Sequence, residues 1–309
     1  MDLLSTVLRE LRLASAAYFV MELDAPWRVR FDGGLRGVHV VDAGRCVLGV
    51  DGGEPRLLGT GDLVLLPRAD SHELWSEDGA RCTPLSSFAL AGQAVDRRVT
   101  VRGPGARTRL LCGAFAMDDD HPAVRGFPHS IVVPGDAEAA PPWVRGLSTA
   151  LAHEVDDGGP GSEVVMARLS DALITRALRH HLETSDDPGW LSGLRDPAVA
   201  VVLAAVHAEP AAAWDLAAMA RTAGLSRSAF AARFSEVVGQ TPMRYVFEYR
   251  MRRAAHLLTA GGGATVASVA SAVGYGSEAA FAAAFVRYAG CPPGAYRRTS
   301  ALLGEPEPR

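Results

Sequence analysis

One pattern occurs twice in the last third of the chain, and few folds can accommodate it. The first copy runs Leu216-Ala-Ala-Met-Ala-Arg-Thr-Ala-Gly224-Leu-Ser-Arg-Ser-Ala-Phe230, and the second runs Val266-Ala-Ser-Val-Ala-Ser-Ala-Val-Gly274-Tyr-Gly-Ser-Glu-Ala-Ala-Phe281. Ala220 matches Ala270 and Gly224 matches Gly274; beyond the turn, Phe230, Phe234, Gly239, Pro242 and Tyr245 match Phe281, Phe285, Gly290, Pro293 and Tyr296. The offset is 50 residues before the turn and 51 after it, so the second copy carries one extra turn residue. Each copy reads as a short helix, a glycine turn and a second helix with phenylalanines at i and i+4, the sequence form of a helix-turn-helix. Alanine at 220 and 270 permits two helices to cross closely. Gly224 and Gly274 supply the left-handed conformation of a sharp helix end. Ser226 and Ser277 stand where an N-cap opens the next helix.

Residues 196–300 resemble the DNA-binding domain of AraC-type (arabinose-regulator-type) transcription factors. The likeness includes Gly239-Gln-Thr-Pro242-Met-Arg-Tyr-Val, Tyr249-Arg-Met251-Arg-Arg-Ala-Ala-His-Leu-Leu258 and the closing Pro292-Pro-Gly-Ala-Tyr-Arg-Arg298. The resemblance implies two helix-turn-helix units joined by one long helix, here beginning near Thr241-Pro242 with proline at its first position. It also implies two recognition helices in successive major grooves, about 34 Å apart. The expected DNA-binding residues are Arg227, Ser228 and Arg233 in the first unit and Ser277, Glu278 and Arg287 in the second. The chain departs from the family where Ala232, Ala283 and Val286 replace frequent basic residues. An arginine-to-guanine pair contributes roughly 1–3 kcal/mol of discrimination, so these alanines imply looser base reading or contacts to thymine methyls.

Charge agrees with that placement. The chain is acidic overall, at net −4, yet residues 196–309 hold 11 arginines against 8 carboxylates. Every Lys or Arg position is arginine. At 309 residues and 48% hydrophobic, the chain is long enough for two cores. No apolar run approaches the ~20 residues that span a bilayer, and the start lacks a basic segment followed by an apolar one; a cytoplasmic protein without membrane contact is expected. Cys46, Cys82, Cys112 and Cys291 form no C-x-x-C pair, so reduced thiols are expected.

From about Phe19 to Val133 the pattern changes to short alternating apolar runs: Val29–Phe31, Val38–Val41, Cys46–Val50, Leu57–Leu58, Leu63–Leu66 and Arg109–Cys112. These are strand signals, with a hairpin turn at Asp51-Gly-Gly53. Gly61-Asp-Leu-Val-Leu-Leu-Pro67-Arg-Ala-Asp-Ser-His72 fits the second cupin motif except that Ala69 replaces its second glycine. With Gly37–Gly44 and Leu111–Phe115, the stretch resembles the cupin-type sensor ahead of AraC-type DNA-binding domains. The expected fold is therefore α+β and multidomain: an N-terminal all-β cupin-like barrel with a helical extension, then an all-α tandem helix-turn-helix domain. The expected boundaries are 1–135 for the sensor, 136–185 for the helical extension, 186–195 for a linker, 196–300 for the DNA-binding domain and 301–309 for a disordered tail.

Metal-dependent cupins supply three histidines and a glutamate, because a redox metal needs several fixed ligands. The first motif here offers His39 alone, with Val41 where a second histidine is wanted. A cupin-fold metal-dependent enzyme fused to a DNA-binding module is therefore the alternative, and no catalytic residue is assigned. His39, His72 and Cys112 remain candidates for a site inside the barrel. Two imidazoles and a thiolate would suit zinc; the same three could contact an organic effector or be hydrogen-bonded core residues. Redox sensing at Cys112 or Cys82 is a third possibility. No motif demands a cofactor. A helix from Pro141 to about Val155 and another from Ser162 to Glu183 carry an apolar stripe at Val165, Leu169, Leu173, Ile174, Ala177 and Leu178. That stripe would pack on the cupin or on a second subunit, a homodimer through 141–183. The implied partners are double-stranded promoter DNA, an unidentified small-molecule effector, and RNA polymerase if the protein activates.

Overall fold

The computed structural model describes residues 5, 8, 11, 13–50, 53–117, 124, 127–135, 140–184, 193, 195–260 and 263–303. The chain divides into two compact units, Leu8–Asp186 and Asp187–Arg309 together with Met1–Val7. Most of the linker expected at 186–195 lies outside the described residues, as do two of the three residues of the Asp51–Gly53 turn.

In the first unit eleven strands are described: β1 (Ala14–Asp24), β2 (Arg28–Phe31), β3 (Arg36–Ala43), β4 (Cys46–Val50), β5 (Arg56–Leu58), β6 (Leu63–Leu66), β7 (His72–Trp75), β8 (Leu85–Ser86), β9 (Arg98–Val101), β10 (Arg107–Ala116) and β11 (Ile131–Val133). A short helix, α1, spans Ser87–Ala91. The strands form a six-stranded sheet ordered β11-β6-β3-β10-β1-β9 and a five-stranded sheet ordered β5-β4-β7-β2-β8. Alternate residues from both sheets meet in one core. Met21 and Leu23, Val29 and Phe31, Cys46 and Leu48, Val64 and Leu66, and Leu110 and Cys112 all point into it, as period-two alternation requires. The first strand begins five residues before the apolar alternation at Phe19. Its start, Ala14-Ser-Ala-Ala, has weak strand propensity but is held by pairing with the end of β10 across a bulge at Ser15/Ala17.

Helices α2 (Pro142–Asp157) and α3 (Ser162–Thr184) follow the strands. They pack on the six-stranded sheet, α2 beside β3 and α3 beside β1 and β11. Leu173, Ile174, Ala177 and Leu178 are buried there. The sheet therefore covers most of the stripe, and a second subunit is not needed to bury it. Only its N-terminal member, Val165, stays exposed. Asp156, near the end of α2, accepts hydrogen bonds from Arg98 and Arg109 and so ties the helix to the sheet. Burial opposes its ionisation, but the two guanidiniums prevail and hold its carboxyl below the ordinary range.

The second unit is helical: α4 (Pro197–Ala208), α5 (Leu216–Thr222), α6 (Arg227–Val238), α7 (Pro242–Thr259), α8 (Val266–Ala272), α9 (Glu278–Ala289) and α10 (Pro293–Leu303). Residues 301–303 thus continue α10 instead of opening a tail. Prolines at the first position start α4 and α7. The long α7 serves both halves: Tyr245, Val246 and Tyr249 are buried near its start, while Met251, Ala254 and Leu258 join Phe281 and Phe285 in the core of the second half.

Candidate nucleic-acid interface and sensor core

The two helix-turn-helix units, α5–α6 and α8–α9, are built alike in side chain as well as in backbone. Gly224 and Gly274 turn the chain at φ +67° and +80°. Gly239 and Gly290 end the second helices at φ +79° and +73°. All four occupy the left-handed region that glycine enters without a Cβ penalty. Ala220 and Ala270 are both buried at the helix crossings. Phe234 meets Tyr245 edge-on with ring centroids 5.7 Å apart, and Phe285 meets Tyr296 in the same way at 5.4 Å. One deviation matters: a Cβ on Gly274 would come within 2.8 Å of the Ala211 carbonyl oxygen, whereas one on Gly224 would meet nothing. Gly274 therefore lies where the second unit abuts the loop of the first, and Arg250 of α7 donates to the Pro210 and Ala212 carbonyls of that loop.

The six side chains expected to meet DNA divide into open and engaged groups. Arg227 and Ser228 are exposed at the start of α6, and Glu278 is exposed at the start of α9. Arg233 is not open. Its Nε donates to Asp196 Oδ2 at 2.6 Å, while Asp196 Oδ1 caps α4 by accepting from the Ala198 and Val199 amides. Burial opposes ionisation of Asp196, yet Arg233 and the two amides hold its carboxyl below the usual range. Ser277 spends its hydroxyl as N-cap of α9, accepting from the Ala280 amide at 3.2 Å, and Ser226 does the same for α6. The Arg287 guanidinium lies over Phe247, 5.8 Å from the ring centroid. Ala232, Ala283 and Val286 are exposed. Sequence spacing could not reveal these partners, because Asp196 and Phe247 lie 37 and 40 residues from the arginines they hold.

In the sensor unit, His39 of β3 and His72 of β7 face each other across the core. Their Nε2 atoms are 2.8 Å apart. Phe31 stacks parallel on His72 at 4.6 Å and meets His39 edge-on at 4.7 Å. His72 Nδ1 lies 3.3 Å from the Asp70 carbonyl and so carries its proton there; its Nε2 must then accept from His39 Nε2–H, leaving His39 Nδ1 as a buried acceptor with no hydrogen-bond partner. Gly37 makes the room, since a Cβ there would reach within 3.0 Å of His39 Nε2. Burial pushes His39 well below the ordinary histidine range, with His72 adding to the effect, and burial pushes His72 down to about 4. Both rings are neutral at physiological pH.

Cys112 is the cross-strand partner of His39 in the β3–β10 ladder. Its thiol does not complete a zinc set. Burial, reinforced by Cys46, pushes its pKa far up, and the His72 Nε2 lone pair is occupied by the histidine–histidine hydrogen bond. Among the described residues no group of three or more His, Cys, Asp or Glu could hold a metal. Among the described residues the three histidines and glutamate of a metal-dependent cupin enzyme are not brought together. Burial also raises Cys46 to about 12, so neither buried thiol has the thiolate character that oxidant sensing needs.

Among the described residues, cavities lie at the margins of the packed core, two of which have room for a ligand. One of about 330 Å³ runs along the five-stranded sheet, lined by Arg28, Arg30, Glu73 and Trp75 and reaching His72. The other, about 140 Å³, sits where α2 meets β3, beside Asp42, Thr60, Arg145 and Ser148. Each is made by residues from three or more separate segments, so the sequence motifs reach only part of its lining, such as His72 in the first and Gly61 in the second.

Comparison with known proteins places this architecture. A cupin family ("Cupin") matches residues 2–183 and a helix-turn-helix family ("Helix-turn-helix domain") matches residues 219–299. An AraC-like transcription regulator of Streptomyces lividans is 36% identical over 304 residues, covering 96% of this chain and 98% of that protein. The HTH-type transcriptional regulator MtrA of Neisseria gonorrhoeae is 30% identical, covering 96% and 98%. Among solved structures, the DNA-binding domain of AdpA in complex with a target DNA aligns at 30% identity over 35% of this chain and 96% of that chain, with a TM-score of 0.33. No helix among the described residues is long and apolar enough to cross a membrane. Joined end to end, a cupin unit and two helix-turn-helix units place this chain in the AraC-like family of transcription regulators.

Proposed function

We propose that the protein binds promoter DNA with α6 and α9 in successive major grooves, under the control of a signal received by the cupin unit. The observation that carries the DNA half is the repeated construction: matched left-handed glycines, matched serine caps and matched Phe–Tyr contacts hold two recognition helices with their N-terminal ends exposed. That end of a recognition helix is the part that meets base edges. The surplus of arginine in residues 196–309 supplies the phosphate attraction.

For the sensor half, the core between the sheets is filled by apolar side chains and the histidine pair. The cavities at the margins offer space for a small-molecule effector, whose action would be a coupling free energy between that site and DNA affinity. A regulator of this kind would act in the cytoplasm. RNA polymerase contact belongs to the activating case, and a homodimer would have to form elsewhere than on the covered stripe of α3.

The test is a salt titration of binding to duplex DNA from the chain's own upstream region, with a scrambled duplex as control. Tight binding whose affinity falls steeply with salt, and which exceeds that for the scrambled duplex, supports the reading; equal affinity for both duplexes overturns it.

A further inference from the structure

We propose that the two recognition helices read bases of opposite hydrogen-bonding polarity, Arg227 reading a guanine and Glu278 a cytosine. The inference rests on the DNA-binding reading above. Offsetting the copies by 51 residues places Arg227 on Glu278 and Glu236 on Arg287. The charge order along the helix is thus inverted between units that are otherwise alike. Both residues occupy the first helical position after a serine N-cap, and both are exposed.

The remaining charged groups narrow the choice. Arg233 is held by Asp196 and Arg287 lies over Phe247, and the exposed turns between them carry Ala232 and Ala283. Arg227 and Glu278 have no ion pair among the described residues. They are the charged side chains left open at the base-facing ends. A guanidinium donates two parallel hydrogen bonds to guanine O6 and N7, and a carboxylate accepts from the cytosine N4 amino group. A carboxylate facing a polyanion weakens binding to every sequence unless a base donor satisfies it, which makes Glu278 a selector against guanine and thymine, whose major-groove edges offer no amino donor. The two read positions should lie about one helical turn apart, roughly 10 base pairs.

The experiment is selection of the full-length protein against a randomised duplex library, followed by measured affinities for single-base-pair variants of the selected site. Three further proteins are tested alongside: Arg227→Ala, Glu278→Gln and the charge-exchanged double variant Arg227→Glu/Glu278→Arg. For the wild type, replacing the read guanine or cytosine should weaken binding roughly 5- to 150-fold. Arg227→Ala should abolish discrimination at the guanine alone. Glu278→Gln should shift preference at the second position from cytosine toward adenine, and the exchanged variant should interchange the two preferences. A wild type that enriches no sequence would overturn the DNA-binding reading itself. If the wild type enriches a site but the variants only raise or lower affinity uniformly, Arg227 and Glu278 face phosphate or solvent and this proposal fails. Both positions are exposed, and unchanged helical circular dichroism confirms that the variants fold.

Discussion

His39 and His72 share one proton between Nε2 atoms 2.8 Å apart, in a core that leaves no room for a second. Protonating either ring would bury a charge, and protonating His72 at Nε2 would also break their hydrogen bond. The pair therefore makes the cupin unit acid-sensitive. An unfolded histidine takes up its proton near pH 6.5, whereas burial pushes His72 down to about 4. The native state forgoes that proton between the two values, so stability is complete above about pH 6.5 and declines as pH falls toward 4. The loss from His72 alone amounts to about 3 kcal/mol. Urea unfolding followed by the fluorescence of buried Trp27, at pH 7.5, 6, 5 and 4.5, measures it. His72→Gln should flatten the profile; an equally steep profile in that variant would assign the sensitivity elsewhere.

Ala69 occupies φ +59°, the left-handed region, at the position where the cupin motif has glycine. Its carbonyl accepts from the Gly34 amide at 2.9 Å, which keeps the turn closed. A non-glycine residue pays roughly 1–2 kcal/mol there, while glycine would lose about 0.5–1 kcal/mol through a freer unfolded chain. Ala69→Gly should therefore stabilise the unit by about 0.5–1 kcal/mol. A higher urea midpoint with unchanged slope would show it, and a lower midpoint would mean that the turn relaxes without strain.

The helical half was legible because its punctuation is local: glycine turns, serine caps and paired phenylalanines declare themselves within a dozen residues. The strands from Val29 to Leu66 were legible by alternation. The start of β1 was not, since Ala14-Ser-Ala-Ala gains its extended form from β10, about a hundred residues away. The cupin motif pointed to His39 and His72, but not to Phe31 stacked on them, because β2 meets β7 only through the sheet. The engagement of Arg233 was hidden for the same reason. A guanidinium on a recognition helix reads as a DNA contact until the fold brings Asp196 beside it.

Asp196 performs two tasks, capping α4 and holding Arg233. Asp196→Ala removes both and should cost about 1–2 kcal/mol, the range for a lost N-cap. Asp196→Asn keeps a capping oxygen and loses the charge. Since the Arg233 side chain is 52% exposed, that variant should cost less than about 1 kcal/mol. Thermal unfolding of both variants separates the tasks; equal losses would mean that the ion pair dominates. The carboxyl is held below its ordinary range, so this stabilisation is present above about pH 4 and disappears as pH falls through the lowered value.

Gly224 and Gly274 share a conformation but not an environment, which allows strain and collision to be separated. Gly224→Ala meets open space at φ +67°, so it should cost only the left-handed penalty, about 1 kcal/mol. Gly274→Ala at φ +80° adds a Cβ 2.8 Å from the Ala211 oxygen and 2.9 Å from the Ala211 Cα. Those atoms belong to backbone that Arg250 anchors through the Pro210 and Ala212 carbonyls, so neither can yield cheaply. The second variant should lose at least ~1 kcal/mol more than the first, within the range of overpacked sites. Adding Arg250→Ala should recover part of the difference by freeing the loop, as read from the unfolding midpoints of a double-mutant cycle. Equal losses at the two glycines would mean that the loop moves freely and that the junction of the two helix-turn-helix units is not rigid.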